Sequence, residues 1–224
     1  MPKHVGIVEC SPPGAAACYE RIATRSVQPL EVSVHAQPFS IYMRHIDADD
    51  WSGVAELMLD SAKKLATIGA HVLIAPCNTI HNAFDLVQRR SPLPWLHIAA
   101  EVAKDAKRRG YRRIGLLGTK RTMESPLYPA HLEPCGIECV LPEPEERREI
   151  DRFIFDEMVG GTFSDEAREY LNGIIGRLKQ RGCDAAGLCC TELPLLLKAG
   201  EPSLPLLDST AILAHAAIER SVTC

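Results

Sequence analysis

The chain has 224 residues, 46% of them hydrophobic and 24% charged, with a net charge of −4. That length suffices for one large α/β domain or two lobes of roughly 100 residues each, and the composition excludes extensive disorder. The acidic balance excludes a broad nucleic-acid footprint, which needs a basic face, and leaves the basic run Lys104–Arg113 as a solvated helix end.

In chain order, apolar β-type runs alternate with amphipathic helical patterns. The pattern predicts strands over Val5–Glu9 and Leu30–Ala36, a helix over Asp49–Ile68, a strand over His71–Ala75 and a helix over Ile98–Arg109. Strands follow over Arg113–Gly118 and Ile137–Pro142, then a helix over Asp165–Gln180, a strand over Asp184–Cys189 and a helix over Ser209–Ser221. The strands are near-continuous in apolar character, which predicts parallel strands covered on both faces, and the βα alternation predicts a parallel sheet flanked by helices.

No apolar run approaches the ~20 residues of a membrane span. The start, MPKHVGIVEC, carries no long apolar leader or cleavage site, so a soluble, cytoplasmic protein is expected. Nine cysteines stand at irregular spacings without a C-x-x-C pair, which predicts thiols rather than disulfides.

The chain has a weak internal symmetry. VGIVECSPPG in the first half and IGLLGTKRTMES in the second each read as a strand, a loop of small or hydroxyl residues, and a helix. Downstream of each comes a strand ending in a thiol and a helix start bearing Thr: APCNT, then LCCTE. The expected fold is α/β with two pseudo-symmetric lobes, each a short parallel sheet flanked by helices, and the active site in the cleft between them. Residues 1–100 form the first lobe, with the helix 208–224 packing back on it, and 101–207 the second.

Two thiols carry the chemistry. Cys77 precedes a helix opened by Asn78 and Thr79, and Cys190 precedes Thr191 and Glu192 at a comparable opening. A thiol at a helix start sits near unpaired backbone N–H groups that stabilise its thiolate. The same donors suit a carboxylate. Inverting a carbon stereocentre takes one base to remove the proton and one acid on the opposite face to return it. Two thiols, one ionised and one not, can exchange those roles. Without pyridoxal phosphate as electron sink, carbanion character must be met by fixed donors, for which Asn78, Thr79, Thr119, Thr122 and Thr191 are candidates. Two rival readings share the first thiol. Cys77 and His81 are four residues apart and could join Cys189 or Cys190 around zinc, or pair as nucleophile and base for acyl transfer.

At these residues the chain resembles the aspartate/glutamate racemase superfamily, the cofactor-independent two-cysteine enzymes, over almost its whole length. PCNTIH resembles the family's first cysteine motif and CCTELPLLL its second; GLLGTKRTMESPLY resembles its Gly-Thr-x-x-Thr-Met loop and LPLLDST its closing segment. The resemblance implies Cys77 and Cys190 as the acid/base pair, with Asn78, Thr79, Thr119, Thr122 and Thr191 holding the α-carboxylate. It also implies no cofactor or metal, a small amino acid as substrate, and a homodimer. Cys189 stands where the family has Gly, so Cys190 is the working thiol. Relatives on the same scaffold include maleate isomerases, arylmalonate decarboxylases and hydantoin racemases, and a non-catalytic amino-acid-binding homologue is a further alternative.

The chain departs from the family after the first strand. Where the family has Gly-Gly-Met-Gly-Pro, this chain has Glu9-Cys10-Ser11-Pro12-Pro13-Gly14, a carboxylate and a loop stiffened by two prolines. Either Glu9 and Ser11 reshape the substrate pocket, or Glu9 faces a helix and binds nothing. Arg44, in the loop before the first long helix, is either a clamp for a side-chain carboxylate or a surface residue. A His frequent in relatives is Leu213 here. Aspartate or glutamate is the default substrate, Cys10 and Cys18 are packing thiols, and Lys120 and Glu124 are solvated charges.

Overall fold

The computed structural model describes residues 3–197 and 202–222. The order is β1 (Lys3–Glu9), α1 (Pro12–Arg25), β2 (Leu30–Ala36), α2 (Phe39–Asp47), α3 (Trp51–Thr67), β3 (Val72–Ile74), a 3₁₀ turn (Thr79–Ala83), α4 (Phe84–Gln88) and α5 (Ile98–Arg108). Then come β4 (Arg113–Gly118), α6 (Lys120–Glu124), α7 (Pro129–Leu132), β5 (Glu138–Val140), α8 (Pro144–Arg152), α9 (Asp165–Gln180), β6 (Ala185–Cys189), α10 (Leu193–Leu196), β7 (Leu206–Asp208) and α11 (Ser209–Val222).

The chain divides into two compact units, Met1–Glu101 with Thr210–Cys224, and Val102–Ser209. The first holds the sheet β2-β1-β3 and the second the sheet β5-β4-β6-β7, with every strand pair parallel. The shared order makes β1 the counterpart of β4, β2 of β5 and β3 of β6. The two units repeat one plan, and β7 is an addition to the second.

Alternation along β1 builds the first unit. Val5 and Ile7 lie in one apolar cluster with Ala15, Cys18 and Ile22 of α1 and Leu213, Ala214 and Ala217 of α11. Val8, and Cys10 just beyond the strand, lie in another with Val54, Met58, Leu59 and Leu65 of α3. Each fully buried Ile, Leu or Val is worth about 1.5–3 kcal/mol, so the central strand anchors both helical layers. Asp50 starts α3 by accepting the Gly53 N–H at 2.9 Å, and Ser164 starts α9 by accepting that of Ala167 at 3.1 Å.

Several expectations change. Pro12 and Pro13 are not a stiff loop but the opening turn of α1, where a missing N–H costs nothing. Arg44 is not in a loop either; it occupies the last turn of α2 and is exposed. β2 is an edge strand with no fully buried residue, Val34 being 43% exposed, so it is not covered on both faces. The helices expected at the two thiols are short. A 3₁₀ turn of 5 residues follows Cys77, and α10, 4 residues long, follows Cys190. Neither carries much of a dipole, so the helix-start support expected for the thiols is weak.

Among the described residues no helix is long and apolar enough to cross a membrane. The eight described cysteines are all thiols. Cys224 and the end of the expected 208–224 segment lie outside the described residues.

Candidate active site

In the first unit, the candidate residues gather where β1 and β3 end side by side. β1 ends at Glu9, paired with Ala36 of β2, and Ser11 takes the N-cap position of α1 without capping it through its side chain. Glu9 is half-buried, and burial raises its carboxyl above the ordinary carboxylate range. Past β3 the chain continues through Ala75 and Pro76 to Cys77, a half-buried thiol packed against the α3-side core. Asn78 is buried and does not cap the 3₁₀ turn; Thr79 is half-buried and its carbonyl accepts from Asn82 Nδ2 at 2.9 Å.

His81 is buried and turned toward the chain that precedes it. Its Nε2 donates to the Ala75 carbonyl at 3.0 Å, and its ring stacks on Phe84 and meets His97 edge-on. That hydrogen bond occupies Nε2 and leaves Nδ1 as the other ring nitrogen. Among the described residues no group of three His, Cys, Asp or Glu side chains is placed to hold a metal.

The second unit presents the same plan at the ends of β4 and β6. Gly118 ends β4 in register with Cys189. A Cβ there would lie 2.9 Å from the Cys189 carbonyl oxygen, so the close approach of the strands requires glycine. Thr119 caps α6: its Oγ1 accepts the Thr122 N–H at 3.3 Å and lies 3.0 Å from Thr122 Oγ1. Both threonines are buried. Of the flanking charges, Lys120 is exposed, with only its backbone N–H donating to Asp151 at 2.6 Å, and Glu124 accepts from Arg147 at 3.0 Å.

Alternation at the end of β6 separates the adjacent cysteines. Cys189 is 1% exposed, and burial first of all pushes its thiol well above the ordinary range, against a hydrogen bond from the fully buried Tyr128. It stays protonated at neutral pH. Cys190 is half-buried and donates Sγ–H to Glu192 Oε2 at 2.9 Å; Thr191 Oγ1 donates to the same oxygen at 2.7 Å. Glu192 is 3% exposed, a carboxylate inside an otherwise apolar segment.

Glu192 is the group a reading of motif residues passes over. The signal is its charge within LCCTELPLLL, where only a fixed partner justifies burial. Together, each unit offers one half-buried thiol just past the strand that flanks its central strand, followed by small polar side chains. Such a thiol can take or give a proton, and the donors around it can hold a carboxylate.

Comparison with known proteins identifies the family. The family pattern for Asp/Glu/hydantoin racemases matches residues 7–217. The broad specificity amino-acid racemase RacX of Bacillus subtilis is 24% identical over 207 residues, covering 88% of this chain and 84% of that protein. The crystal structure of an aspartate racemase homologue from Pyrococcus horikoshii is 30% identical with a TM-score of 0.83, covering 99% of this chain and 100% of that one. The aspartate racemase of Picrophilus torridus has the same fold, with a TM-score of 0.79 at 23% identity over 98% and 94% of the two chains. The chain belongs to the Asp/Glu/hydantoin racemase family and is, with that family, an isomerase.

Proposed function

We propose that the chain racemises or epimerises an amino acid, aspartate or glutamate by default, by moving the Cα proton between Cys77 and Cys190 without a cofactor. The observation that carries this is the repeat: β3 and β6 are counterparts in their sheets, and each leads into a half-buried thiol followed by Asn or Thr side chains.

In the reaction, one thiolate removes the Cα proton and the other thiol delivers its own to the opposite face. The pair emerges with its protonation states exchanged, ready for the reverse direction. Backbone N–H groups with Asn78, Thr79, Thr119, Thr122 and Thr191 hold the α-carboxylate and spread the charge that develops beside it. The hydrogen bond seen at Cys190 is that of a thiol, the acid form, resting on the Glu192 carboxylate. Through that hydrogen bond Glu192 orients the Cys190 sulfur toward its role. A homodimer belongs to the same reading and is checked by analytical ultracentrifugation.

One observation favours a second reading of the substrate. Glu9 brings a half-buried carboxyl to the end of β1, and two like charges at close range cost on the order of 1–4 kcal/mol. A neutral or basic amino acid avoids that repulsion, and the similar protein from Bacillus subtilis carries the name of a broad specificity racemase. A panel of free L-amino acids followed by circular dichroism separates the two. Loss of signal for aspartate or glutamate supports the acidic substrate, and loss only for neutral or basic ones supports the second. A panel in which no amino acid changes removes amino-acid racemisation altogether.

A further inference from the structure

Cys10 has no part in the reaction above, yet it belongs to the apolar cluster against which the thiol that does, Cys77, packs. β1 and β3 pair in parallel with one constant offset, Val5 with Val72, Gly6 with Leu73 and Ile7 with Ile74. The ladder ends at Ile7 and Ile74, and the same offset extended three residues beyond it would align Cys10 with Cys77. Adjacent strands lie about 4.7–4.9 Å apart, inside the roughly 4.4–6.8 Å Cα separation that a disulfide accepts.

The two side chains also share a face. Val8 and Cys10 on one strand line, and Leu73 and Ala75 on the other, belong to the α3-side core, against which Cys77 packs. Cys18 belongs to the opposite core, with α1 and α11. Tyr42, fully buried among the α3-side residues, responds to both sulfurs: its phenol is raised far above its ordinary range by burial first, then by Cys10 and by Cys77. Exposure divides the roles, since Cys10 is 1% exposed and Cys77 is half-buried.

We propose that Cys10 and Cys77 are a reversible oxidation site, in which a peroxide oxidises Cys77 and Cys10 closes the disulfide. The Cys77 thiolate attacks one oxygen of hydrogen peroxide; the S–O bond forms, the O–O bond breaks, and hydroxide leaves. Cys10 then attacks the Cys77 sulfur; the S–S bond forms, the S–O bond breaks, and the oxygen departs as water with the Cys10 proton. Two thiols lose two electrons and one peroxide accepts both. The disulfide occupies the Cys77 sulfur and stops proton transfer, a consequence that rests on the role proposed for Cys77. It also shields that sulfur from irreversible oxidation.

The test treats the whole protein with excess hydrogen peroxide, alkylates the remaining thiols, digests without reductant and maps the peptides by mass spectrometry. The Cys10 and Cys77 peptides are expected joined, with activity lost in step and restored by dithiothreitol. In Cys10→Ser, and in Cys10→Ala, which leaves no polar group in the core, untreated activity stays near that of the parent. Peroxide then carries Cys77 to the sulfinic acid, and dithiothreitol restores nothing. Oxidised Cys77 in the parent without a bond to Cys10, or full recovery of both Cys10 variants, overturns the pairing. The peptide map reads the bond whether or not Cys77 takes part in racemisation, so the two proposals fail separately.

Discussion

The Sγ of Cys190 donates to Oε2 of Glu192 at 2.9 Å, and Thr191 donates to that same oxygen at 2.7 Å. One buried carboxylate therefore fixes the rotamers of two neighbouring side chains. Glu192→Gln keeps the shape and removes the charge. With a charge-assisted hydrogen bond worth about 1.5–3 kcal/mol, kcat is expected to fall about ten- to a hundredfold, more than KM changes. Because Glu192 acts through Cys190, the pH profile of Cys190 alkylation should move with it. An unchanged profile with a lowered melting temperature would mark Glu192 as structural only.

The adjacent cysteines separate cleanly by substitution. Cys190→Ala removes an acid/base group and is expected to cost about 10²–10⁴-fold in kcat, as is Cys77→Ala, with the melting temperature little changed for these half-buried sites. Cys189→Ala removes a buried sulfur beside Tyr128, so it should lower stability while leaving substantial activity per folded molecule. Loss of turnover in Cys189→Ala with a fully active Cys190→Ala would reverse the assignment.

The strands and the long helices were legible because their signals are local. The β4 run RIGLLG is apolar after its opening Arg113, and Asp165–Gln180 has a Ser164 cap and a clear apolar stripe, so both elements stand where periodicity puts them. β7 was not legible: Leu206–Asp208 is 3 residues long and is a strand only because β6 offers it an edge. Pro12 and Pro13 suggested a rigid loop because proline punctuates both loops and first helical turns, and only the path of α1 decides between them. α8 begins in a run so charged that it shows no apolar face, and its start depends on the Glu143 N–H donating to Glu146 at 2.8 Å. At the site, both thiol motifs and the Thr119/Thr122 pair were visible as residues. The placement of Cys189 inward and Cys190 outward follows from strand alternation, but the Glu192 contact depends on a turn that no periodicity predicts.

Glu9 links pH to stability with a definite sign. Its carboxyl is raised in the fold, because burial disfavours the charged form. A carboxyl raised in this way favours folding below its unfolded value of about 4.3. That contribution is lost as the pH rises through the folded value, and above it the ionised form opposes folding. Glu9→Gln should therefore melt at a higher temperature than the parent near pH 7.5, and the advantage should vanish below about pH 4. Thermal melts at the two pH values check this; an advantage that grows in acid would contradict it.

The central claim is that two thiols work on opposite faces of one carbon, and the location of solvent deuterium early in the reaction tests it most directly. The L-amino acid found active is incubated in heavy water and stopped at a few per cent conversion, and both enantiomers are recovered and weighed by mass spectrometry. With Cys77 and Cys190 as separate bases, the D-product carries deuterium at Cα from a thiol already exchanged with solvent, while recovered L-substrate keeps its protium. Equal labelling of recovered substrate and product, or product that retains the original proton, would show a single base serving both faces and would contradict the account.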